Sequence, residues 1–502
     1  MDYINNLQKS IENHFSKNAF YINNTFYTYA DFAQEISKIR LSISNSVDFS
    51  NKLIGLVLND DIKTYAAIIA MWLEGKAYVP INPEHPEDRN ETILNSTEAT
   101  HVYDSVKKIQ INTIEHIHDL ELGKIEINLS PNSVRKNDLA YVLFTSGSTG
   151  DPKGVPITYN NLNEYINAIN YDGEFKLNAS DKCLQMFELT FDFSVVSFIF
   201  PLLAGASIYT VPRNSIKYFY IYKLIQKHRL TVLSLVPSII HYLRPYFSEI
   251  NAPQVRYCSF GGGALYNDIV EDWAKCIPNS VIFNYYGPTE NTIYSSYYKI
   301  NKDCKLNTIH NGVISIGKPL NNVTYIIVDD HNNEVADFES GELAISGGQL
   351  TPGYWKNDKK NKASFFFKKI DYELVRFYKT GDLCFKDNTG NYMFKGRIDF
   401  QVKIRGYRIE LPEVEFHAKT KCTKKVNVVA IDIFNTLGNA ELALAIESEV
   451  FDTNEIMEHM KTKIPDYMIP AHIKFIQEFP YNSNGKIDRN KLRTYFKIEN
   501  ND

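Results

Sequence analysis

The sequence predicts a large layered α/β N-terminal domain with a β-barrel-like portion near its end, followed by a small α+β C-terminal domain. Three observations carry this. Helical and strand-like apolar runs alternate through the first several hundred residues, as they do in layered α/β folds. After about residue 310, glycine and aspartate become denser and short strands follow one another. The last segment, from about residue 400, is more charged and carries its own strand and helix signals. With 502 residues, 44% of them hydrophobic, the chain exceeds what a single core usually holds. The boundary is expected between a domain of residues 1–398 and one of residues 399–502.

The elements follow in order. Leu7, Ile11 and Phe15 recur every four residues and predict a first helix. Residues 64–73 form a second, mostly apolar helix, then Gly75 and a compact run at 77–81. Proline-rich sequence at 82–86 turns the chain. Residues 139–144 read as a buried strand. Residues 193–211 carry no charge and approach a membrane-spanning length, but Asp192, Pro201, Gly205 and three serines punctuate them. They read as a buried helix running into a buried strand, not as a transmembrane segment. Strands are expected at 255–260 and 280–283, with a helix at 269–276 between them. Residues 324–328 and 341–345 begin the antiparallel, barrel-like portion. In the last domain, 426–430 and 441–446 read as strands and 456–464 as a helix.

Charge and cysteine usage narrow the function classes. A net charge of -5 gives no basic face for nucleic acid. Six scattered cysteines form no CxxC pair or zinc spacing and suit a reducing compartment. The first residues lack a basic region followed by an apolar one, so the expected location is cytoplasmic.

The strongest local signal is Phe144-Thr145-Ser146-Gly147-Ser148-Thr149-Gly150-Asp151-Pro152-Lys153-Gly154. Its glycines permit unusual backbone turns, its hydroxyls donate with little bulk, and Lys153 adds a positive charge. Such a loop after a strand can wrap phosphate oxygens. A Ser/Gly-rich surface linker is the plainer reading, which the preceding strand and the Pro-Lys-Gly ending oppose. The loop does not match GxxxxGKS/T or GxGxxG.

This loop resembles the phosphate-binding signature of the adenylate-forming (AMP-binding) superfamily, which includes nonribosomal peptide synthetase adenylation domains, acyl-CoA synthetases and luciferases. Further resemblances follow in order: residues 76–83, Asn284-Tyr285-Tyr286-Gly287-Pro288-Thr289-Glu290, residues 341–343, 353–355 and 378–382, residues 396–406, and Asn484-Gly485-Lys486-Ile487-Asp488-Arg489. The series covers about residues 20 to 492.

The resemblance implies ATP and Mg2+ as cofactors and assigns roles. Thr145, Ser146, Gly147, Ser148, Thr149, Gly150 and Lys153 would hold phosphates. Gly261, Gly262 and Gly263 would form a wall against adenine, with Asn284, Tyr285, Tyr286 and Gly287 beside it and Tyr286 stacked on the base. Thr289 would contact phosphate, and Glu290 would bind the metal. Asp382 would accept the ribose hydroxyls, with Arg397 close by. Lys486 would be catalytic, joining the reacting carboxylate to the α-phosphate. Asp399 would be the hinge of a mobile small domain, and the loop at Gly406 would line the thiol's access path. Without the resemblance, each of these reads as a turn, a cap or a solvated charge.

Phe191-Asp192-Phe193-Ser194 is similar to the aspartate motif of amino-acid-activating members. Asp192 would bind the substrate ammonium while Lys486 meets its carboxylate. The alternative is an Asp N-cap on the following helix. By resemblance, Phe193, Val196, Ser234, Ser259, Gly261, Tyr285, Ile293 and Tyr294 line the side-chain pocket. None is acidic and three are bulky aromatics, which favours a small neutral amino acid. The expected activity is a stand-alone amino acid:carrier protein ligase that loads the phosphopantetheine thiol of a separate carrier protein. The alternatives are an acyl-CoA ligase for a non-amino carboxylic acid, or a D-alanine:carrier protein ligase specifically. A scaffold built on an inactive fold is opposed by the retained Lys153, Glu290, Asp382, Arg397 and Lys486.

Overall fold

The computed structural model describes every residue except 1, 110–113, 121, 148–150, 172, 302, 422–425, 451, 482–486 and 497–502. Ser148, Thr149, Gly150 and Lys486, named above, lie outside the described residues, as does Cys422.

Two mainly parallel sheets organise the large domain. One has six strands, in the order Glu115–Ile117, His101–Tyr103, Leu53–Val57, Ala77–Ile81, Leu139–Thr145 and Lys153–Thr158. Only its last pair is antiparallel. The other has nine strands and is parallel from Val281–Tyr286 across to Asn18–Ile22, with antiparallel strands at both edges. Helices cover the faces, as parallel connections require. The helix Ile62–Leu73 illustrates the local logic. Asp61 caps it by accepting the Thr64 N–H at 2.8 Å. Every residue after Lys63 up to Leu73 is buried, because both sheets and their helices surround it.

The uncharged run at 193–211 is the helix Phe193–Ala204 followed by the buried strand Ser207–Thr210. Gly205 joins them at φ +69°, a left-handed conformation that suits glycine. Among the described residues, no helix is long and apolar enough to cross a membrane. The antiparallel portion is a five-stranded sheet in which the long strand Glu373–Lys386 pairs with Gly341–Gly347, Phe365–Ile370 and Tyr392–Arg397.

Two expected helices run too far. The first ends at Asn13, so Phe15 packs on the core from the following turn. The helix expected over 456–464 is Asn454–Lys461, and Ile464 is buried just beyond it. In both cases an apolar residue in register with the helix is buried by the loop that follows.

The smaller C-terminal domain holds the hairpin Gln401–Ile404 and Tyr407–Glu410, the helix Leu411–Thr420, and a three-stranded sheet of Val428–Phe434, Ala440–Glu447 and His472–Ile476. Its core is separate, built from residues such as Ile409, Val414, Leu444 and Met460.

Candidate active site

A cavity of about 620 Å³ opens where the carboxyl ends of the parallel strands face the small domain. Asp192, Phe193, Gly262, Tyr286, Gly287, Thr289, Asp382 and Arg397 line it, together with Lys403, Gly406, Tyr407 and Arg408 from the small domain. The structure thus brings together residues that lie far apart in sequence.

The hairpin of Leu139–Thr145 and Lys153–Thr158 stands at one side, with Thr145 paired to Lys153 across its two strands. Gly147 cannot be replaced there, since a Cβ would lie 2.0 Å from the Asp151 carbonyl oxygen. Its N–H donates to Glu413 Oε2 at 3.0 Å. The Ser146 hydroxyl donates to the Arg408 carbonyl at 3.0 Å. Among the described residues, the buried Thr145 hydroxyl has no hydrogen-bond partner. Lys153 Nζ lies 3.3 Å from Glu410 Oε1. Burial, reinforced by Arg408, lowers its ammonium to about 8.

Glu290 sits in the short 3-10 turn Thr289–Asn291 and is fully buried. The Tyr354 hydroxyl donates to Oε1 at 2.6 Å, and Arg408 Nη1 lies 2.9 Å from Oε2. Burial pushes the carboxyl up, but Arg408 and Lys153 outweigh it and hold Glu290 well below the ordinary carboxylate range. Among the described residues, no group of three acidic, His or Cys side chains is placed to hold a metal. One ionised, hard-oxygen donor opposite a phosphate-loop lysine fits a magnesium ion carried mainly by substrate phosphates and water.

At the opposite wall, Asp382 accepts Arg397 Nη1 at 2.7 Å and also the Tyr286 hydroxyl. Arg397 Nη1 donates in addition to the Thr380 carbonyl at 2.9 Å. Asn284 takes no part in the cavity, because its amide donates to the Ser315 carbonyl at 2.9 Å.

Asp192 immediately precedes the Phe193–Ala204 helix, yet its side chain makes no capping hydrogen bond. It is buried and faces the cavity. Burial raises its carboxyl to about 6, against the opposing pull of the Thr289 hydroxyl. The Phe193 ring lies against the backbone of Gly261 and Gly262, where added Cβ atoms would come within 3.1 and 2.9 Å of it. Beyond Tyr294, whose ring lies 5.1 Å from that of Phe193, is a second cavity of only about 20 Å³, lined by Val196, Ser234, Ser259, Tyr285 and Tyr294 among others. Ser259 donates to Ser234 at 3.0 Å, so this hydroxyl pair is internally satisfied. Tyr285 and Tyr294 stack at 4.4 Å. Gly263 lies apart, against Pro237.

The segment leading into Tyr294 is strained, and Ile293 itself is not among the residues lining either cavity. Thr292 and Ile293 both have positive φ, +51° and +72°, which is unusual for β-branched residues. Gln349, which motif reasoning missed, holds that segment. Its buried amide donates to the Tyr294 carbonyl at 2.8 Å and the Asn291 carbonyl at 3.2 Å. Sequence analysis also gave no individual roles to Arg408, Glu410 and Glu413. Read locally, Glu410-Leu411-Pro412-Glu413 is only a helix start with proline in the first turn. No local pattern shows that these side chains meet partners more than 100 residues away.

A family profile described as "AMP-binding enzyme" matches residues 7–355. Tyrocidine synthase 3 of Brevibacillus parabrevis is 31% identical over 453 residues, covering 88% of this chain and 7% of that protein. Gramicidin S synthase 1 of Brevibacillus brevis is 30% identical over 452 residues, covering 88% of this chain and 39% of that protein. The chain therefore spans well under half the length of these relatives. Among solved structures, the Vibrio cholerae adenylation domain AlmE, in complex with glycyl-adenosine-5'-phosphate, superposes with a TM-score of 0.86. It is 25% identical, and the match covers 99% of this chain and 98% of that one.

Proposed function

Because the chain belongs to the AMP-binding enzyme family, and is an AMP-forming ligase that activates an amino acid or other carboxylic acid as its adenylate, we propose that its substrate is one of the smallest amino acids: glycine, or alanine in either configuration. A D-alanine:carrier protein ligase is one form of this reading. The observation that carries it is Phe193. Its ring, next to Asp192 in the main cavity, packs against Tyr294 at 5.1 Å, and Tyr294 stacked on Tyr285 borders a second cavity of only about 20 Å³. AlmE, similar over nearly its whole length, holds a glycyl adenylate.

In this reading, Asp192 pairs with the substrate ammonium. A substrate carboxylate oxygen attacks the α-phosphorus of ATP. The new O–P bond forms as the bond to the β-phosphate oxygen breaks, and pyrophosphate leaves with the electron pair. Lys486 offsets the charge shared by carboxylate and α-phosphate. Lys153, Gly147, the phosphate-loop hydroxyls and Thr289 hold the phosphates. Asp382 accepts the ribose hydroxyls beside Arg397, while Tyr286 and Gly261 to Gly263 flank adenine. Glu290 would hold the magnesium ion, whose charge would neutralise the triphosphate when bound. The acyl group then passes to the phosphopantetheine thiol of a separate carrier protein. We place the domain boundary between residues 398 and 399, with Asp399 as hinge. The buried free thiols at 183, 258, 276, 304 and 384 suit a cytoplasmic enzyme.

One observation favours a second reading. An Asp192 carboxyl raised to about 6 is carried more easily as a neutral acid, which suits a substrate lacking an amine and delivery to CoA. ATP–pyrophosphate exchange separates the two. Glycine and both alanines should support exchange, while acetate, propionate, valine and phenylalanine should not. Faster exchange with propionate than with either alanine would establish the second reading, and faster exchange with phenylalanine would defeat both.

A further inference from the structure

Residues 286–295 form one closed loop that carries both Glu290 and Tyr294. The Ser295 N–H closes it by donating to the Tyr286 carbonyl at 2.8 Å. The chain folds back so tightly that a Cβ on Gly287 would lie 2.2 Å from the Ile293 carbonyl oxygen. Near the end of the loop, the Tyr294 ring stacks on Tyr285 at 4.4 Å and lies 5.1 Å from Phe193. Just before it, Thr292 and Ile293 take left-handed φ values of +51° and +72°. Such a turn of β-branched residues keeps its shape only where its surroundings over-determine it.

Gln349 supplies that constraint. It is buried, and its side-chain amide donates to the Tyr294 carbonyl at 2.8 Å and to the Asn291 carbonyl at 3.2 Å, bracketing the two strained residues. The Thr292 hydroxyl donates back to the Gln349 carbonyl at 2.5 Å. The backbone around Gln349 is tied in turn to the strand Lys153–Thr158 and the helix after it. The Thr351 hydroxyl donates to the Pro156 carbonyl at 2.6 Å, and the Asn161 amide donates to the Gly348 and Leu350 carbonyls at 2.8 and 3.0 Å. Glu290 is held without the Gln349 amide, because its carbonyl accepts the Thr351 N–H at 2.9 Å and its carboxylate meets Tyr354 and Arg408.

We propose that Gln349 is a positioning residue for acid selectivity: its amide locks the Thr292–Ile293 turn, and the locked turn keeps Tyr294 against Phe193. This deepens the substrate reading above and rests on it. A side chain without N–H donors leaves two buried carbonyls unpaired and frees the turn to relax. Tyr294 then loses its fixed place beside Phe193, and the pocket yields to a larger side chain. The nucleotide contacts are spared, since none of them runs through this amide.

The test is ATP–pyrophosphate exchange by the full chain carrying Gln349→Met, which keeps the length of the side chain and removes its donors. The kcat/KM ratio of valine over glycine should rise about tenfold, the low end of a methylene-scale change in pocket fit. The change should appear in the KM for the amino acids, with the KM for ATP unmoved. Thr292→Val, which lacks the hydroxyl, should shift the ratio in the same direction, and Thr292→Ser, which keeps it, should behave as wild type. This second pair decides the matter if Gln349→Met does not fold. An unchanged ratio in folded variants would overturn the proposal, as would an equal rise in the KM for ATP or a Thr292→Ser variant that behaves like Thr292→Val. If the wild type instead exchanges fastest with some other acid, the small-amino-acid reading fails separately. The Gln349 effect is then read on that acid and its homologue one methylene longer, with the same outcomes supporting or overturning it.

Discussion

Arg397 holds Asp399 through two parallel hydrogen bonds, Nε to Oδ1 at 2.9 Å and Nη2 to Oδ2 at 2.6 Å. The same guanidinium reaches Asp382 on the cavity wall. One side chain therefore links the proposed ribose-binding carboxylate to the proposed hinge. A lysine keeps the charge but cannot form the planar fork. Arg397→Lys should raise the KM for ATP about tenfold, the effect of losing one or two charge-assisted hydrogen bonds. Initial-rate titrations of ATP at saturating acid substrate measure this. An unchanged KM would remove Arg397 from nucleotide binding.

If Asp192 pairs with the substrate ammonium, the amino-acid affinity should depend on pH. Its carboxyl is raised from 3.8 to about 6, chiefly by burial, so it keeps its proton further up the pH scale than an exposed aspartate does. Below about 6 it is neutral and offers the substrate ammonium no charge. The KM for the amino acid should therefore rise about tenfold per pH unit below that point and level off above it. The KM for ATP should not follow. The same shift lowers fold stability as pH rises from 3.8 towards 6, because the unfolded chain ionises first. Exchange rates over a pH series, with Asp192→Asn as control, check the profile, and a wild-type KM independent of pH would contradict the ammonium contact.

Phe193 should set the size limit. Phe193→Ala removes a ring that lines the main cavity and packs on Tyr294, which borders the small one. The kcat/KM ratio for valine over glycine should rise about 10–200-fold, the usual range for a methylene-scale change in a hydrophobic pocket. The truncation should cost about 3–5 kcal/mol of stability, since the ring also packs on Phe187 and Tyr294. Unaltered selectivity in a folded variant would show that Tyr285 and Tyr294 set the limit instead.

What the sequence discloses here divides by range. The buried helix and strand within 193–211, the helix ending at Leu73 and the strands at 324–328 and 341–345 all follow from local apolar period and punctuation. Helix ends do not, as Phe15 and Ile464 show, because tertiary burial prolongs the apolar pattern beyond the last helical hydrogen bond. At the site, Asp192, Glu290, Asp382 and Arg397 could be named from short motifs, and they line or adjoin one cavity. Asn284 was grouped with them, but its side chain serves the Ser315 carbonyl. Gln349 and the Glu410–Lys153 and Glu413–Gly147 pairs were not legible. Each depends on segments that only the sheet order brings together, and an isolated Gln or a Glu at a helix start has commoner local explanations.

Lys486 and Asp399 should separate the two half-reactions. The residues flanking Lys486 are anchored within the small domain: Tyr481 bridges Ile487, Asp488 caps the helix Arg489–Tyr495, and Arg489 pairs with Glu415 at 2.7 Å. Any movement of the small domain would therefore carry this stretch with it. If Lys486 joins carboxylate and α-phosphate only during adenylation, Lys486→Ala should slow adenylate formation about 10²–10³-fold, comparable to loss of one transition-state donor. The same variant should be less impaired when given preformed aminoacyl adenylate, since thiol attack no longer needs that charge. Asp399→Pro acts on the other half. It restricts the backbone at the proposed hinge and perturbs the Arg397 fork, so carrier loading should suffer more than adenylation if the restriction holds the adenylating arrangement. Single-turnover assays of adenylate formation and of carrier loading, run separately on both variants, read the two effects. Normal adenylation by Lys486→Ala with failure only in thiol transfer would reverse the assignment and make the lysine part of the second step.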